Sequence, residues 1–331
     1  MSKSIVFYEG EKDYKYSKIV DSLNIDYVPI KYSHFIKYLL KKIFKPLGKN
    51  IFFHVRYIKW RGYFFTIPIY ILILTLCKLK KIKITWTCHN IWEHQFQSRL
   101  QNLLIRHLIY FASDHVIVMH SDLIHNLPLY KKEKIIVANF GDFREFFESQ
   151  NDINKHFKEK YEKWLGYNNI NYPDIVYIST AKINKLQYLI TFLEKRTILN
   201  GLIIAPKINI TVKTRNIFLY TDDMVKGEIK TILKKGDPVA YISHNNISVP
   251  TSIYMYASYG IPILGYNIKP ISSIINEYKI GLLFDGKTDL GEKIKIIKEN
   301  YKYYRENALK FINLNNWEKS ILAHKKIWKE N

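Results

Sequence analysis

A chain of 331 residues can form two domains that each bury a core, and 47% apolar content excludes a disordered protein. The two cysteines, Cys77 and Cys88, offer no CxxC pair and no metal-ligand spacing, which points to a reducing, cytoplasmic compartment. With 51 basic and 29 acidic residues the formal charge is +22, so an anionic partner has to be considered.

The N-terminus, MSKSIVFYEG, reads as a buried strand over Ser4–Tyr8, because its apolar run is too short for a signal peptide. From Asp26 to Glu93 no acidic residue intervenes. Lys31, Lys37, Lys41, Lys42, Lys45, Lys49, Arg56, Lys59 and Arg61 crowd the first half of that gap. Tyr32, Phe35, Tyr38, Phe44, Phe52, Phe53, Tyr57, Trp60 and Tyr63–Phe65 are interleaved with them. Basic residues beside amphipathic aromatics suit an anionic membrane surface, each lysine adding up to about 1 kcal/mol near the headgroups. No zinc-finger, RRM or KH signature accompanies them, so nucleic acid is not expected, and a solvated basic face stays open.

A second strand is predicted over Ile51–Val55. Gly62–Cys77 is uncharged, but it is shorter than the roughly 20 residues of a bilayer span and contains Pro68. It predicts a buried or membrane-dipping helix. The strand Ile82–Thr87 then runs into TWTCHNIWEH, residues 85–94, which sets His89, Asn90, Glu93 and His94 where a buried strand ends. Ligands of open α/β sheets bind outside the carboxyl ends of the strands, and imidazoles take or give protons near neutrality. A loop of hydrogen-bonding residues capping the strand is the other reading of the same residues.

A helix over Phe96–Ala112 and strands over His115–Met119 and Lys134–Ala138 complete the first series. Residues 142–172 are polar and charged and mark the junction between domains. The second series runs through DIVYIST, a helix over Lys185–Leu199, GLIIAP, NIFLYT, a helix over Asp223–Lys235 and VAYIS. A helix over Ser252–Tyr259 follows, then PILGY, IGLLFD and a helical tail over Tyr301–Glu330. Asp222 and Asp223 read as caps of the helix before Lys235. Pro250, Thr251 and Ser252 read as a helix start whose free amides and dipole suit a phosphate, against an ordinary βαβ turn. Gly260 stops that helix and Pro262 opens the next strand. Continuous apolar runs such as HVIVM mark strands buried on both faces. The whole pattern is α/β: two tandem Rossmann-like, doubly wound domains with a ligand cleft expected between them.

In order along the chain, TCHN, ASDHVIVMHSD, IIVANFG, YISTAKINKLQYLI, SYGIPILGYN, IGLLFD and NNWEKS resemble the motifs of GT-B glycosyltransferases. The likeness is to family-4-like enzymes of capsule, exopolysaccharide and lipid-linked glycan assembly. It implies an N-terminal acceptor-binding domain over 1–150, a linker over 151–172, a nucleotide-sugar-binding domain over 173–300, and a C-terminal crossover helix over 301–331 that returns toward the first domain. Thr87-Cys88-His89-Asn90 matches the family's strand-end motif, which implies His89 as the catalytic residue, with Asn90 and His94 behind it. Lys182 or Lys185 matches the basic residue that neutralises the donor pyrophosphate, and the helix from Thr251-Ser252 would take that pyrophosphate on its amides. Gly141 matches the glycine closing the first domain, and Trp317-Glu318 the tryptophan of the final helix.

Departures from the pattern are equally specific. Ile247 and Met255 stand at the positions of the two glutamates of retaining members, Phe140 replaces a frequent histidine, and the usual glycine-arginine is absent. Retention and inversion therefore both remain open. The resemblance implies a hexosyltransferase that carries sugar from a nucleotide-activated donor to a lipid-linked or oligosaccharide acceptor in bacterial surface-polysaccharide synthesis. It would lie peripherally on the inner face of the cell membrane. Proton removal from the acceptor falls to His89, His94 or Glu93. No Asp-x-Asp pair ends a strand, so no metal and no cofactor beyond the nucleotide sugar is expected. A GT-B-fold sugar-nucleotide epimerase and a non-catalytic GT-B partner subunit are the competing readings.

Overall fold

Short, continuous apolar runs need cover on both faces, and each half of this chain meets that need with a parallel sheet between helices. The computed structural model describes residues 4–8, 13–42, 50–56, 63–89, 99–127, 132–179, 186–206, 208–223, 225–243, 247–286 and 290–329.

The first series begins β1 (Ile5–Tyr8), α1 (Tyr14–Leu23), β2 (Asp26–Pro29), α2 (Tyr32–Lys41) and β3 (Ile51–Val55). It continues α3 (Tyr63–Leu79), β4 (Lys83–Cys88), α4 (Arg99–Ala112), β5 (His115–Val118) and β6 (Ile135–Val137). After α5 (Arg144–Glu148) and α6 (Lys155–Tyr167) come β7 (Ile175–Ile178), α7 (Leu186–Lys195), β8 (Gly201–Ile204) and β9 (Ile217–Tyr220). The rest is α8 (Lys226–Lys234), β10 (Val239–Ile242), α9 (Thr251–Ser258), β11 (Ile263–Tyr266), α10 (Ile271–Tyr278) and β12 (Gly281–Phe284). Three helices close the chain: α11 (Leu290–Glu299), α12 (Tyr301–Leu314) and α13 (Trp317–Trp328).

The first six-stranded sheet has the order β2-β1-β3-β4-β5-β6, and the second β12-β11-β10-β7-β8-β9. Every strand pair is parallel, as the double-sided apolar runs predict. The strand order reverses between β1 and β3 in one sheet and between β7 and β10 in the other. Crevices form at the carboxyl ends of such reversal points, so each sheet has its own candidate edge for a ligand. Gly281 pairs with Ile263, and a Cβ there would fall 1.8 Å from the Ile263 carbonyl oxygen, so glycine alone lets β12 close on β11.

Two compact units result: Met1–Phe140 with Asn246–Val249 and Asn316–Asn331, and Gly141–Asn245 with Pro250–Asn315. The first boundary lies at Phe140, not at residue 150, and the expected linker over 151–172 belongs to the second unit. Its aromatics account for this. In α6, Phe157 and Trp164 are buried, with ring centroids 5.6 Å from Phe218 in both cases and 5.0 Å between Phe157 and Tyr220. Asp222 and Asp223 do not cap α8, whose N-cap is Val225; Asp222 lies at the surface, 3.8 Å from His156. The tail is two helices. Asn316 caps α13 by accepting from the Lys319 amide at 3.1 Å, so only α13 joins the first unit, packed on α1, while α12 stays with the second.

The basic-aromatic segment also differs from its expected role. Tyr32, Phe35, Phe52 and Phe53 are core residues, with Phe35 stacked on Phe53 at 4.8 Å, so they present no aromatic surface. Phe44, Lys45, Lys49, Tyr57, Lys59, Trp60 and Arg61 lie outside the described residues, as do the side chains of Tyr63, Phe64 and Phe65. Of the uncharged run, residues 63–77 form most of α3, 17 residues with Pro68 inside. Among the described residues no helix is long and apolar enough to cross a membrane.

Candidate active site

In the first unit the reversal point gathers polar side chains onto an apolar frame. Strand β1 ends at Tyr8, β3 at Val55 with Arg56 next, and β4 at Cys88 with His89 next. Asp13 caps α1 by accepting from the Tyr16 amide at 3.2 Å, and its carboxylate also takes the Arg56 guanidinium at 2.5 Å. Arg56 is only 3% exposed and lies 5.2 and 4.3 Å over the rings of Tyr8 and Tyr16. A buried cation is tolerated only when paired, and here a carboxylate and two aromatic faces pair it. The Tyr16 hydroxyl then meets His89 Nε2 at 3.2 Å.

His89 is half-buried, so its ring is held by Tyr16 without being sealed from ligand. Burial, and then the positive charges of Lys15 and Arg56, hold its pKa well below the usual histidine range. The imidazole is therefore neutral at pH 7, the form that accepts a proton.

Two further histidines stand behind it. His54, fully buried in β3, bonds the Tyr27 hydroxyl through Nδ1 at 3.0 Å and Thr87 Oγ1 through Nε2 at 2.7 Å. His324 of α13 donates from Nδ1 to the Ser320 carbonyl at 2.7 Å, which fixes the tautomer and leaves Nε2 as the unprotonated nitrogen. Desolvation pushes His54 well down and His324 down to about 4.

These shifts make stability depend on pH with a definite sign. Each imidazole binds a proton more weakly in the folded chain than in the unfolded one, where its pKa is about 6.5. As pH falls below about 6.5 the unfolded chain takes up more protons, and stability drops; for His324 the loss continues to about pH 4. Above about 6.5 the three contribute no slope. Urea melts between about pH 7.5 and 4.5 should show this decline, and His324→Gln should flatten part of it. A pH-independent midpoint over that range contradicts the assignment.

In the second unit the reversal point leads into α9. Pro250 is its N-cap with φ −65° and ψ 130°, and no side chain caps the helix, so the first-turn amides of Thr251 and Ser252 are left for a ligand or water. Both side chains are half-buried. The helix is pinned from within the unit: Tyr256, fully buried, accepts the Ile178 amide of β7 through its hydroxyl at 2.8 Å. Ser258 accepts the Phe143 amide at 2.9 Å and donates to the Tyr254 carbonyl at 2.7 Å. Gly260 ends the helix with φ 69°, as its position predicted.

Of the residues singled out from the sequence, His89, Thr251 and Ser252 lie at strand or helix ends of the expected kind. Asn90, Glu93, His94, Lys182 and Lys185 lie outside the described residues. Trp317 opens α13, buried edge-on against Tyr14 with ring centroids 5.9 Å apart, and Phe140 lies 6.2 Å from it. Sequence reasoning missed Asp13, Tyr16, His54 and His324 as site residues, and it placed Arg56 in a surface run. A guanidinium directly after an apolar strand was the available signal for Arg56.

No protein-family model and no curated protein matches the sequence. Solved structures do match it over its whole length. HepE of Anabaena in complex with UDP shares 10% identity, with 99% of this chain and 98% of that one covered and a TM-score of 0.65. A glycosyltransferase from Rickettsia africae shares 15% identity, with 100% and 99% covered and a TM-score of 0.65. WaaG, a glycosyltransferase involved in lipopolysaccharide biosynthesis, shares 9% identity, with 99% and 100% covered and a TM-score of 0.53. With two parallel six-stranded sheets and end-to-end coverage in both directions, the chain has the GT-B fold.

Proposed function

We propose that this chain is a glycosyltransferase that moves a sugar from a uridine-diphosphate donor to a lipid-linked or oligosaccharide acceptor in bacterial surface-polysaccharide synthesis, working peripherally at the inner face of the cell membrane. The observation that carries the reading is likeness over the whole chain to HepE, which has been solved with UDP and with UDP-glucose. The likeness to WaaG supports a glycan of the cell surface.

In this reading the acceptor oxygen attacks the anomeric carbon, the bond from that carbon to the diphosphate breaks, and the acceptor proton passes to His89 Nδ1, with Nε2–H donating to the Tyr16 hydroxyl. A neutral imidazole suits that task at pH 7, and Tyr16 holds its ring in place. The departing diphosphate gathers charge, which the uncapped amides of α9 at Thr251 and Ser252 stabilise, aided by Lys182 or Lys185. Asn90 is assigned to acceptor binding, with Glu93 and His94 as alternative bases. Ile247 and Met255 offer no carboxylate at the positions of the retaining enzymes' glutamates, so a single displacement with inversion is proposed. The transfer needs no metal, and added chelator is expected to leave it unchanged. Transfer of label from UDP-sugars into an extracted lipid fraction tests the proposal.

A further inference from the structure

Helices α2, α3 and α4 lie side by side within the first unit, α2 packed on α3 and α3 on α4. Their inward faces supply core: Phe35 and Leu39, Tyr70 and Ile73, Ile105 and Ile109. A surface helix normally turns charge outward. Two of these three do not. In α3, Ile71, Leu72 and Leu79 face outward, Leu79 being 69% exposed. In α4, Leu100, Leu103, Leu104 and Phe111 do the same at helical spacing, with Leu100 at 64% and Phe111 at 63%. Isolated exposed leucines are ordinary, but seven large apolar side chains on two neighbouring helices form a patch of the kind that marks an interaction surface.

The charge around the patch names its occupant. On α2 the outward residues include Lys37 and Lys41, with Lys42 following, all exposed. Lys81 is exposed beyond α3. No acidic residue occurs between Asp26 and Glu93, and Asp114, which follows α4, is held by Lys78 at 2.7 Å and by the Ile84 amide at 2.7 Å. A face that is apolar in the middle and basic at its edge complements the headgroup region of an anionic bilayer: lysines meet phosphate, and leucine and phenylalanine enter the acyl boundary. A second copy of the same face would instead bring lysines against lysines.

We infer that the outward faces of α3 and α4, edged by the lysines of α2, dock on an anionic lipid bilayer, so that the chain lies on the membrane without crossing it. This rests on the peripheral placement in the proposed function and names the surface responsible. The surface differs from the aromatic run of residues 32–65, whose described aromatics are largely core.

Co-sedimentation of the full chain with vesicles tests it, using phosphatidylcholine alone and phosphatidylcholine with phosphatidylglycerol. Binding to the anionic vesicles is expected at low salt, with weaker binding at high salt and to the neutral vesicles. The triple variant Leu100→Ser, Leu104→Ser, Phe111→Ser is expected to lose about tenfold or more in vesicle affinity with its melting curve unchanged, because all three side chains already face solvent. Lys37→Glu with Lys41→Glu is expected to remove the preference for anionic lipid. A wild-type chain that stays in the supernatant at low salt, or a triple variant that binds as well as wild type, overturns the inference. So does a dimer that the serine substitutions dissociate without any vesicle binding, since that gives the face to a second copy. UDP release from a donor in detergent solution reports the transfer reaction separately, so failure of lipid docking and failure of the proposed chemistry are distinguishable.

Discussion

His89→Ala lowers glycosyl transfer by about 10²–10⁴-fold, the loss expected when a positioned proton acceptor is removed. The effect belongs in kcat, because the proton moves in the reaction step and not on binding. The fold should survive: His89 is half-buried, it follows β4 and lies outside the strand, and its ring bonds the Tyr16 hydroxyl at 3.2 Å. Donor-dependent melting shifts in the variant should match wild type, which separates a lost base from a damaged site. Initial rates of label transfer check the prediction. A rate within about threefold of wild type would move the proton to Glu93 or His94 and make the Tyr16–His89 pair structural.

Trp328→Ala destabilises the first unit by about 3–5 kcal/mol, the usual cost of deleting a large buried aromatic. Trp328 is fully buried near the end of α13, with ring centroids 4.9 Å from His324, 5.4 Å from His54 and 6.1 Å from Tyr27. Its carbonyl accepts the Ser4 hydroxyl at 2.6 Å, so the end of the chain is tied to the entrance of β1. Removing the indole leaves a cavity beside two uncharged imidazoles, and water entering it would also ease their protonation. Urea melts followed by tryptophan-independent probes, such as far-ultraviolet circular dichroism, should show an earlier transition for the first unit and an unchanged one for the second. A midpoint shift worth less than about 1 kcal/mol would mean that α13 is dispensable to the first core.

Most strands were legible because they are unbroken apolar runs in a parallel sheet, where both faces are buried and no alternation is needed. Strand β2 was not, since DYVP carries an acid and a proline and sits half-buried at the sheet edge. The tail reads as one helix by periodicity, yet it breaks at Asn315-Asn316, where the asparagine side chains bond backbone groups and compete with the helix. At the site, His89 was visible as a polar residue ending an apolar strand. Arg56 was not, because a lysine-rich neighbourhood makes every cation look solvated, although this one is almost wholly buried. Tyr16 lies 73 residues from His89, and no spacing rule links two residues brought together by sheet topology. The acid-free stretch was legible as a charge pattern, but which of its aromatics face outward depends on helix packing that only the fold reveals.

Incubation with labelled UDP-sugars and an extracted bacterial lipid fraction tests most directly the proposed transfer of a sugar from a UDP donor by this GT-B chain. The predicted result is label in the lipid phase with an equal amount of UDP released, abolished by His89→Ala. Conversion of the donor to another UDP-sugar without acceptor, or no turnover of any UDP-sugar, would contradict it.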